Sequence, residues 1–258
     1  MKKIFLFVAV VAALSVNAED KVWNFATIFS ANQTFSVGDG QTPDALVEGE
    51  LYVYGNAKDK AFAVEVNQSP KYFVDFLTID DQVNADAEGK NGKLARLKSG
   101  GTGSVAADKI KGAVAFCVAG PSYIQIAAVS SSGTAVRKMQ ILNAAGEELA
   151  SFKFDGNIGK KVNGEIVDDP FELDYKGGAT TIFIVSAEAV EGDDSYVAGG
   201  INYYKIAATN VAPWKAPVVQ GIDELLVAPK ATKMVYKGQV VIVKEGRMFN
   251  LLGAEVLK

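Results

Sequence analysis

The 258-residue sequence contains no histidine and one cysteine, Cys117. Without histidine there is no Ser-His-Asp triad, Cys-His pair, His-ligated zinc or histidine proton shuttle. A single cysteine excludes an internal disulfide, a cysteine-rich metal site and an iron–sulfur cluster. Chemistry based on lysine, tyrosine, arginine and carboxylates stays open. Because Cys117 stands in the apolar run 113–118, we expect a small buried residue rather than a reactive thiol.

The sequence has no excess of positive charge, since it contains 26 Lys and Arg and 30 Asp and Glu, for a net charge of −4. No basic block is present, so we expect no nucleic-acid partner and no binding to anionic membranes. Hydrophobic residues make up 49% of the sequence and charged residues 22%. That balance is typical of a chain that buries a core, and the length predicts one or two domains.

The first eighteen residues have the pattern of a signal peptide. Lys2 and Lys3 precede an eleven-residue apolar run at 4–14, and small residues lead up to Ala18. This predicts cleavage between Ala18 and Glu19. The alternative is an uncleaved anchor, but eleven residues cover only about half of a bilayer core. We therefore expect a protein exported through the periplasm, secreted or held at the outer cell surface, with no membrane span after cleavage.

The body of the chain predicts an all-β fold. Segments rich in Val, Ile, Phe, Tyr and Thr alternate with glycine-rich and acidic turns. The predicted strands are 22–29, 50–54, 62–66, 92–98, 113–118, 123–130, 136–142, 149–154, 171–175, 180–186 and 201–207, and residues 71–79 are ambiguous with a helical turn. Short turns without crossover helices favour an antiparallel, jelly-roll-like β-sandwich over residues 19–210.

Alternation within the strands predicts which side chains face the core. Ile124 and Ile126 share one face and are expected inward, which places Tyr123 on the solvent face. Segments 113–118 and 182–185 have no polar face, so they are predicted to be central strands covered on both sides. Three further aromatic residues are expected in the core: Trp23, Phe25 and Tyr204.

The composition changes after residue 210. Three of the seven prolines lie between residues 211 and 229, which predicts a spacer because proline removes ladder donors. Strand patterns resume at 233–236, 239–243, 247–250 and 254–257, which predicts a small C-terminal β-meander over residues 230–258. These strands could instead be the last ones of the sandwich, but the proline-rich spacer favours a separate unit.

The tail also carries a spaced set of glycine, apolar and basic residues. They are Lys233, Gly238-Gln239, Val241-Ile242-Val243, Gly246, Phe249-Asn250, Gly253, Val256 and Lys258. With these residues the tail resembles the C-terminal sorting domain of the Por (type IX) secretion system, in which a tyrosine usually stands at the position of Phe249. The resemblance implies a bacterial protein that the secretion machinery carries across the outer membrane. Such tails are either cleaved or attached to the surface.

The body resembles a second family through several short motifs. They are Trp23-Asn24-Phe25, Leu51-Tyr52-Val53-Tyr54, Lys93-Leu94-Ala95-Arg96-Leu97-Lys98, Ala119-Gly120-Pro121, the stretch 175–182 and the stretch 200–206. These are similar to β-sandwich modules attached to secreted pectate-lyase-like and other polysaccharide-active enzymes. The resemblance implies a non-catalytic module of carbohydrate-binding character. We expect no cofactor. This chain contains no lyase domain.

Candidate ligand-binding residues are aromatic and basic. Tyr123, Tyr196 and Tyr203 are expected on outer faces or loops, where a ring can cover the C–H face of a sugar. Arg96 and Lys98 could donate to hydroxyls or pair with uronate carboxylates. For each residue an ordinary structural position is the alternative, since exposed tyrosines are common in β proteins.

Acidic turns and a glycine tract carry little functional signal. Of the acidic groups, Asp193 and Asp194 are the candidates for calcium, but none of the groups matches a calcium loop, and solvated turns are favoured. No metal is therefore predicted. The glycine tract at 99–104 lacks the spacing of a phosphate-binding loop and predicts a hairpin loop.

Three functions are consistent with this sequence. The leading hypothesis is an exported, non-catalytic β-sandwich that binds a polysaccharide, a cell-surface glycan or another surface partner. The first alternative is a structural or adhesive surface protein without a small ligand. The second is a polysaccharide-cleaving enzyme that uses lysine, arginine, tyrosine and carboxylates, for which a deep groove with paired carboxylates would be the signature.

Overall fold

The computed structural model describes residues 18–35, 43, 45–56, 61–68, 94–106, 109–155, 161–162, 165–166, 170–214, 232–236, 239–244 and 247–249. The chain divides into two compact units, Met1–Val218 and Val219–Lys258. We call the described residues 18–214 the sandwich body and residues 232–249 the tail. Within these residues, no helix combines the length and apolar composition needed to cross a membrane.

Strands dominate the described elements. In chain order they are β1 (Glu19–Asn24), α1 (Phe25–Ile28), β2 (Gln33–Thr34), β3 (Ala45–Glu48), β4 (Leu51–Tyr54), β5 (Ala63–Gln68), β6 (Leu94–Lys98), β7 (Ser104–Val105), β8 (Ile110–Lys111), β9 (Ala113–Val118), β10 (Ser122–Ser130), β11 (Arg137–Leu142), β12 (Glu148–Phe154), β13 (Lys161–Val162), β14 (Glu165–Ile166), β15 (Phe171–Tyr175), β16 (Thr180–Ser186), β17 (Ile201–Ala212), β18 (Thr232–Tyr236), β19 (Gln239–Lys244) and β20 (Arg247–Phe249). The predicted all-β fold is confirmed.

The body is a sandwich of two antiparallel layers. Sheet I has the strand order β12-β11-β16-β9-β4-β3. Sheet II contains β15-β10-β17, and β17 pairs on its other side with β1 and with β6, which continues to β5 and β2. The long strand β17 joins the layers, because its last residues, Val211 and Ala212, pair with Val118 and Cys117 of β9.

The inner faces of both sheets form the main core. Sheet I contributes, among others, Val114, Phe116, Ile141, Ile182 and Ile184. Sheet II contributes, among others, Ile124, Ile126, Ile201, Tyr203 and Ile206. The predicted inward positions of Ile124 and Ile126 are confirmed, and Tyr123 is 40% exposed on the opposite face. Trp23 and Phe25 are buried in this core as predicted.

The strands β9 and β16 are covered on both sides, as their lack of a polar face predicts. Their outward residues Ala113, Ala115 and Phe183 form a second apolar cluster with Ile110 of the β7–β8 hairpin. Every residue of β9 is buried, including Cys117, whose Sγ lies 3.5 Å from the Oγ1 of Thr181. The prediction that Cys117 is a small buried residue is therefore confirmed.

The predicted strand 22–29 ends early, at Asn24, and a one-turn helix follows. The Oδ1 of Asn24 accepts a hydrogen bond of 3.0 Å from the backbone N–H of Ala26, and the hydroxyl of Thr27 donates to the carbonyl of Asn24. Asparagine is a strong helix N-cap because its side-chain oxygen accepts from a backbone N–H of the first turn that has no partner within the helix. This local hydrogen bonding overrides the strand propensity of the apolar residues that follow.

The body also extends further along the chain than predicted. Val211 and Ala212, which open the predicted linker, are buried at the end of β17. The ring of Trp214 then packs against that of Tyr52, with centroids 4.2 Å apart and the planes tilted by 35°, and the backbone N–H of Trp214 donates to Glu50 over 2.8 Å. The sandwich therefore holds the chain as far as Trp214. The predicted linker residues 215–229 and the ambiguous segment 71–79 lie outside the described residues.

The tail forms a three-stranded antiparallel meander. Strand β18 pairs with β19, and β19 pairs with β20. The predicted hairpin and the strand after it are confirmed, and Phe249 is the last residue of β20. The predicted fourth strand, 254–257, lies outside the described residues, as do the sorting-signal residues Gly238, Gly246, Gly253 and Lys258.

Candidate functional site

Tyr203 does not lie on the solvent face, and that prediction is wrong. It is fully buried in the main core, facing inward with Ile201. Since neighbouring residues of a strand face opposite sides, Tyr204 turns to the outer face, where it is buried in a cluster with Leu94. Burial raises the pKa of Tyr203. Among the described residues its hydroxyl has no hydrogen-bond partner, so Tyr203 is a core residue and cannot contact a ligand.

Tyr196 lies in a loop, as predicted, but its ring is not available for stacking. The side chain is 4% exposed, and its hydroxyl donates to the carbonyl of Glu188 over 2.9 Å. The ammonium of Lys153 lies 5.3 Å from the ring centroid, which is the geometry of a cation–π contact. Tyr196 therefore supports the loop instead of offering a flat ring to a sugar.

Tyr123 is the one predicted tyrosine whose ring reaches solvent. Its hydroxyl donates to Glu172 over 2.5 Å, and the amide of Gln125 donates to the same oxygen over 3.2 Å. The hydrogen bond to Glu172 raises the pKa of Tyr123 to about 12, with smaller contributions from burial and from the charges of Glu172 and Asp174. The hydroxyl is therefore neutral at physiological pH and committed to a carboxylate.

Arg96 and Lys98 share a single carboxylate partner. The Nε of Arg96 donates to Glu65 over 2.7 Å, and the Nζ of Lys98 donates to its other oxygen over 2.9 Å. Burial acts to raise the pKa of Glu65, but the hydrogen bonds from Lys98 and Arg96 outweigh it and hold the pKa below its ordinary value of 4.5. A uronate would have to compete with Glu65 for both cations.

This ion cluster makes the stability of the sandwich body depend on pH. A carboxyl whose pKa is lowered by folding stabilises the fold above its unfolded pKa, and the effect fades as the pH falls from about 4.5 through the folded value. We expect Glu65→Gln to cost about 1 kcal/mol at neutral pH, a modest value because water screens this partly exposed cluster. The difference from the unmodified protein should shrink below about pH 4, as measured by urea unfolding across the pH range.

Asp174→Asn is the matched control for that experiment. Asp174 also pairs with a lysine, Lys176, but its side chain is 60% exposed. We expect its substitution to leave stability unchanged at every pH, since exposed pairs contribute little. A Glu65→Gln difference that grew as the pH fell would contradict the assigned direction of the Glu65 pKa.

The predicted ligand-binding residues do not form one site. Lys98 pairs with Asn202, near the start of β17, and the backbone N–H of Tyr123 donates to the Oγ1 of Thr209, near the other end of β17. Asn202 and Thr209 are seven residues apart along β17, which corresponds to about 20 Å. The structure brings Arg96 and Lys98 together but places Tyr123 well away from them.

Asp193 is held within its own turn. Its carboxylate accepts hydrogen bonds from the hydroxyl and the backbone N–H of Ser195, and Lys153 lies 3.5 Å from its other oxygen. These contacts, the Ser195 hydroxyl above all, lower the pKa of Asp193. Within the described ranges, no group of three or more His, Cys, Asp or Glu residues, with or without Asp194, has the geometry to hold a metal ion.

The described residues do form a groove, of about 310 Å³, on the outer face of sheet I. Its floor is β11, from which Lys138 and Gln140 point outward because the residues that alternate with them, Met139 and Ile141, face the core. One wall is β7 with the preceding glycine. The loop after β16 lines another side through Glu188 and Val190, and the start of β12 contributes Glu148.

Polar groups on the groove floor are linked through Glu148. One of its oxygens, Oε2, accepts from the Nε2 of Gln140 over 2.5 Å and from the Nζ of Lys138 over 3.3 Å. A hydrogen bond from the Ser151 hydroxyl lowers the pKa of Glu148; burial opposes this, and Gln140 and Lys138 add to the lowering. The floor therefore presents an amine, an amide and an ionised carboxylate in fixed relative positions.

The walls add apolar surface to these polar groups. Val190 is 61% exposed, and Val105 and Leu142 also line the groove. The loop that carries Val190 is anchored further along the chain, where the Nη1 of Arg137 donates to the carbonyls of Val197 and Ala198 over 3.0 and 2.6 Å. The groove is thus built from strands and from an anchored loop.

Sequence reasoning singled out one residue that lines the groove, Tyr196, and missed the others. Alternation along β11 was sufficient to place Lys138 and Gln140 on an outer face, beside the inward Met139 and Ile141. No local signal shows that the loop of Val190, some fifty residues later, returns to the same place. That juxtaposition depends on the pairing of β11 with β16.

The described residues form an antiparallel β-sandwich that carries an open groove lined by both polar and apolar residues. No known family model matches the sequence, and no curated protein matches it.

Nine solved chains match parts of this chain, and the following three are among them. The first is the carbohydrate-binding module CBM36 in complex with calcium and xylotriose, with 13% sequence identity, a match over 49% of this chain and 87% of that chain, and a TM-score of 0.25. The second is a family two carbohydrate esterase from Cellvibrio japonicus, with 13% identity, a match over 73% of this chain and 36% of that chain, and a TM-score of 0.27. The third is BiXyn10A CBM1 in its apo form, with 11% identity, a match over 75% of this chain and 99% of that chain, and a TM-score of 0.28.

Proposed function

We propose that this protein is an exported, non-catalytic β-sandwich that binds a glycan in the groove on β11. One observation carries the proposal: Lys138, Gln140 and Glu148 form a fixed polar network beside the apolar surface of Val190 and Leu142. Sugar rings present hydroxyls on their edges and C–H groups on their faces. A concave site with a few oriented polar groups and apolar walls suits both.

The groove carboxylates favour binding over cleavage. Glycoside hydrolysis requires one carboxyl that stays protonated to act as an acid beside a second that is ionised. Glu148 is ion-paired with Lys138 and has a lowered pKa, and Glu188 is ion-paired with Lys111 over 2.8 Å. Both carboxylates serve as hydrogen-bond acceptors, and we assign neither to a catalytic step.

The decisive experiment is a binding screen of the full chain against plant and host polysaccharides, with new chain ends assayed in the same wells. We expect saturable binding without new chain ends. Gln140→Ala should raise the Kd by about tenfold, because it removes a donor held by Glu148 and leaves that carboxylate less well oriented. Kd is measured by calorimetry on the glycan that the screen identifies.

Gln125→Ala is the matched control for this screen. Gln125 is also an outward strand residue that donates to a glutamate, Glu172, but it lies on sheet II beside Tyr123. Its substitution should leave the Kd unchanged. An effect confined to Gln125→Ala would move the site to the Tyr123 face, new chain ends would establish the enzyme, and absence of binding would favour the structural or adhesive protein.

We further propose that the two chain ends direct export to the bacterial surface. Glu19 is the first residue of β1, so cleavage after Ala18 would release a body with this strand complete. The three-stranded meander of the tail supports a separate sorting unit of the type IX kind. The secretion machinery would be its partner.

Deletion of residues 230–258 tests the role of the tail. In a bacterium with type IX secretion, we expect the truncated protein to accumulate in the periplasm and the full chain to reach the surface or the medium, as measured by fractionation and immunoblotting. Phe249→Tyr, which restores the residue usual in the resembled family, should be exported normally. Unchanged export of the truncated chain would contradict the sorting role.

A further inference from the structure

We infer that the groove on β11 selects an uncharged glycan chain over a polyuronate; this inference rests on the proposed function. It concerns the charges that line the groove. The lining contains one cation, Lys138, and two carboxylates, Glu148 and Glu188. Lys111, paired with Glu188 over 2.8 Å, brings the local sum to zero.

Both ammonium groups already have carboxylate partners. Lys138 lies 3.3 Å from Glu148, and Lys111 lies 2.8 Å from Glu188. A uronate entering the groove would find neither cation free of a carboxylate, and its own charge would lie near those of Glu148 and Glu188. Like charges at such distances repel strongly where protein lowers the dielectric constant. The groove is therefore unfavourable to an anion.

A neutral sugar meets no such penalty. A hydroxyl group both donates and accepts, so it can donate to Glu148 while accepting from Lys138 or from the amide of Gln140. Hydrogen bonds to charged groups are stronger than those between neutral groups, so the charged groups of the groove floor favour the binding of sugar hydroxyls. The exposed Val190 side chain adds apolar surface for the C–H face of a ring.

The cluster of Arg96 and Lys98 is the alternative site for an anionic glycan. Among the described residues on the outer face of sheet II, Arg96 and Lys98 pair with a single carboxylate, Glu65, so this cluster of three has one positive charge in excess. Uronate binding at that cluster would be lost in Arg96→Gln and retained in Gln140→Ala. The two sites can therefore be distinguished by variants that do not share a residue.

The test uses hexasaccharide pairs that share a backbone and differ at C6, where one member carries a hydroxymethyl group and the other a carboxylate. The pairs are β-1,4-glucan with β-1,4-glucuronan, β-1,4-mannan with β-1,4-mannuronan, and α-1,4-galactan with α-1,4-galacturonan. Calorimetry on the full chain should give, for the pair that binds best, a Kd at least about tenfold lower for the neutral member. That Kd should change by less than about twofold between 50 and 500 mM NaCl, because no net charge is neutralised.

Glu148→Gln tests whether the groove charges cause the preference. This variant keeps the shape of the side chain and removes one negative charge, so the ratio of uronate to neutral Kd should fall by about tenfold. Glu147→Gln is the control, because it removes the same charge one residue away. The carboxylate of Glu147 accepts a hydrogen bond from Asn143 and does not line the groove. The ratio of uronate to neutral Kd in Glu147→Gln should match that of the unmodified protein.

The outcomes separate the inference from the function on which it rests. Equal or tighter uronate binding that persists in Arg96→Gln overturns the inference while glycan binding stands. Uronate binding that is lost in Arg96→Gln belongs to the cluster of Arg96 and Lys98 and agrees with the inference. An unchanged ratio in Glu148→Gln also overturns it. If no member of any pair binds, the proposed function is contradicted, and the inference that rests on it is contradicted as well.

Discussion

Replacing Trp23 with alanine is expected to lower the free energy of unfolding of the sandwich body by about 3–5 kcal/mol. Trp23 is 2% exposed, and its ring lies 5.1 Å from that of Phe116 across the core. Its indole N–H donates to the carbonyls of Glu48 and Gly49 over 2.9 and 3.0 Å. The substitution therefore opens a cavity and removes the donor that links β1 to the turn between β3 and β4.

Two further variants separate these contributions in urea unfolding followed by far-UV circular dichroism. Trp23→Phe keeps most of the buried ring but loses the N–H, and we expect a smaller cost of about 1–3 kcal/mol. Val22→Ala changes the neighbouring residue on the same strand, which is 62% exposed, and should cost about 0.5 kcal/mol or less. Equal losses in Trp23→Ala and Val22→Ala would show that Trp23 does not anchor the two layers.

Gly112→Ala should have the second large effect, on both stability and binding. The φ of Gly112 is +59°, and an added Cβ would lie 2.5 Å from the carbonyl oxygen of Thr102 and 2.8 Å from the Cα of Gly103. Backbone atoms cannot move aside as a flexible side chain can, so strain adds to the unfavourable φ. We expect a loss of about 2–4 kcal/mol in the free energy of unfolding.

The effect on binding follows from the position of the β7–β8 hairpin. Its residues Ser104 and Val105, with Gly103, form one wall of the groove, and Gly112 holds the base of the hairpin against Gly103. A displaced hairpin should raise the glycan Kd even where the variant stays folded. Gly178→Ala, at a position where nothing lies within 4 Å of the added Cβ, should match the unmodified protein in both measurements. Equal behaviour of the two glycine variants would contradict the close approach.

Much of the fold could be predicted because short-range alternation reports on burial. The segment that became β10 alternates, and both inward isoleucines were assigned correctly. The runs that became β9 and β16 have no polar face, and both are covered on two sides. Burial on one face or both leaves a mark in the local sequence, and such marks define the layers of a sandwich.

The residues of the candidate site were harder to predict because their positions depend on pairing between distant strands. Tyr203 and Tyr204 are adjacent and chemically alike, and the register of β17 with its neighbours β10 and β6 decides which of them enters the main core. Tyr196 lies in a loop, where alternation gives no information about burial. The groove joins β11 to a loop beyond β16, a contact set by topology and not by any motif.

The pairing of β1 with β17 has a mechanical consequence. Glu19 lies opposite Val211, so the chain enters and leaves the sandwich at the same corner. Tension applied between these two ends would load the hydrogen bonds of β1 one after another, as in opening a zipper, instead of all together in shear. A body tethered by its C-terminal end alone would escape this weakness, because its free N terminus carries no load.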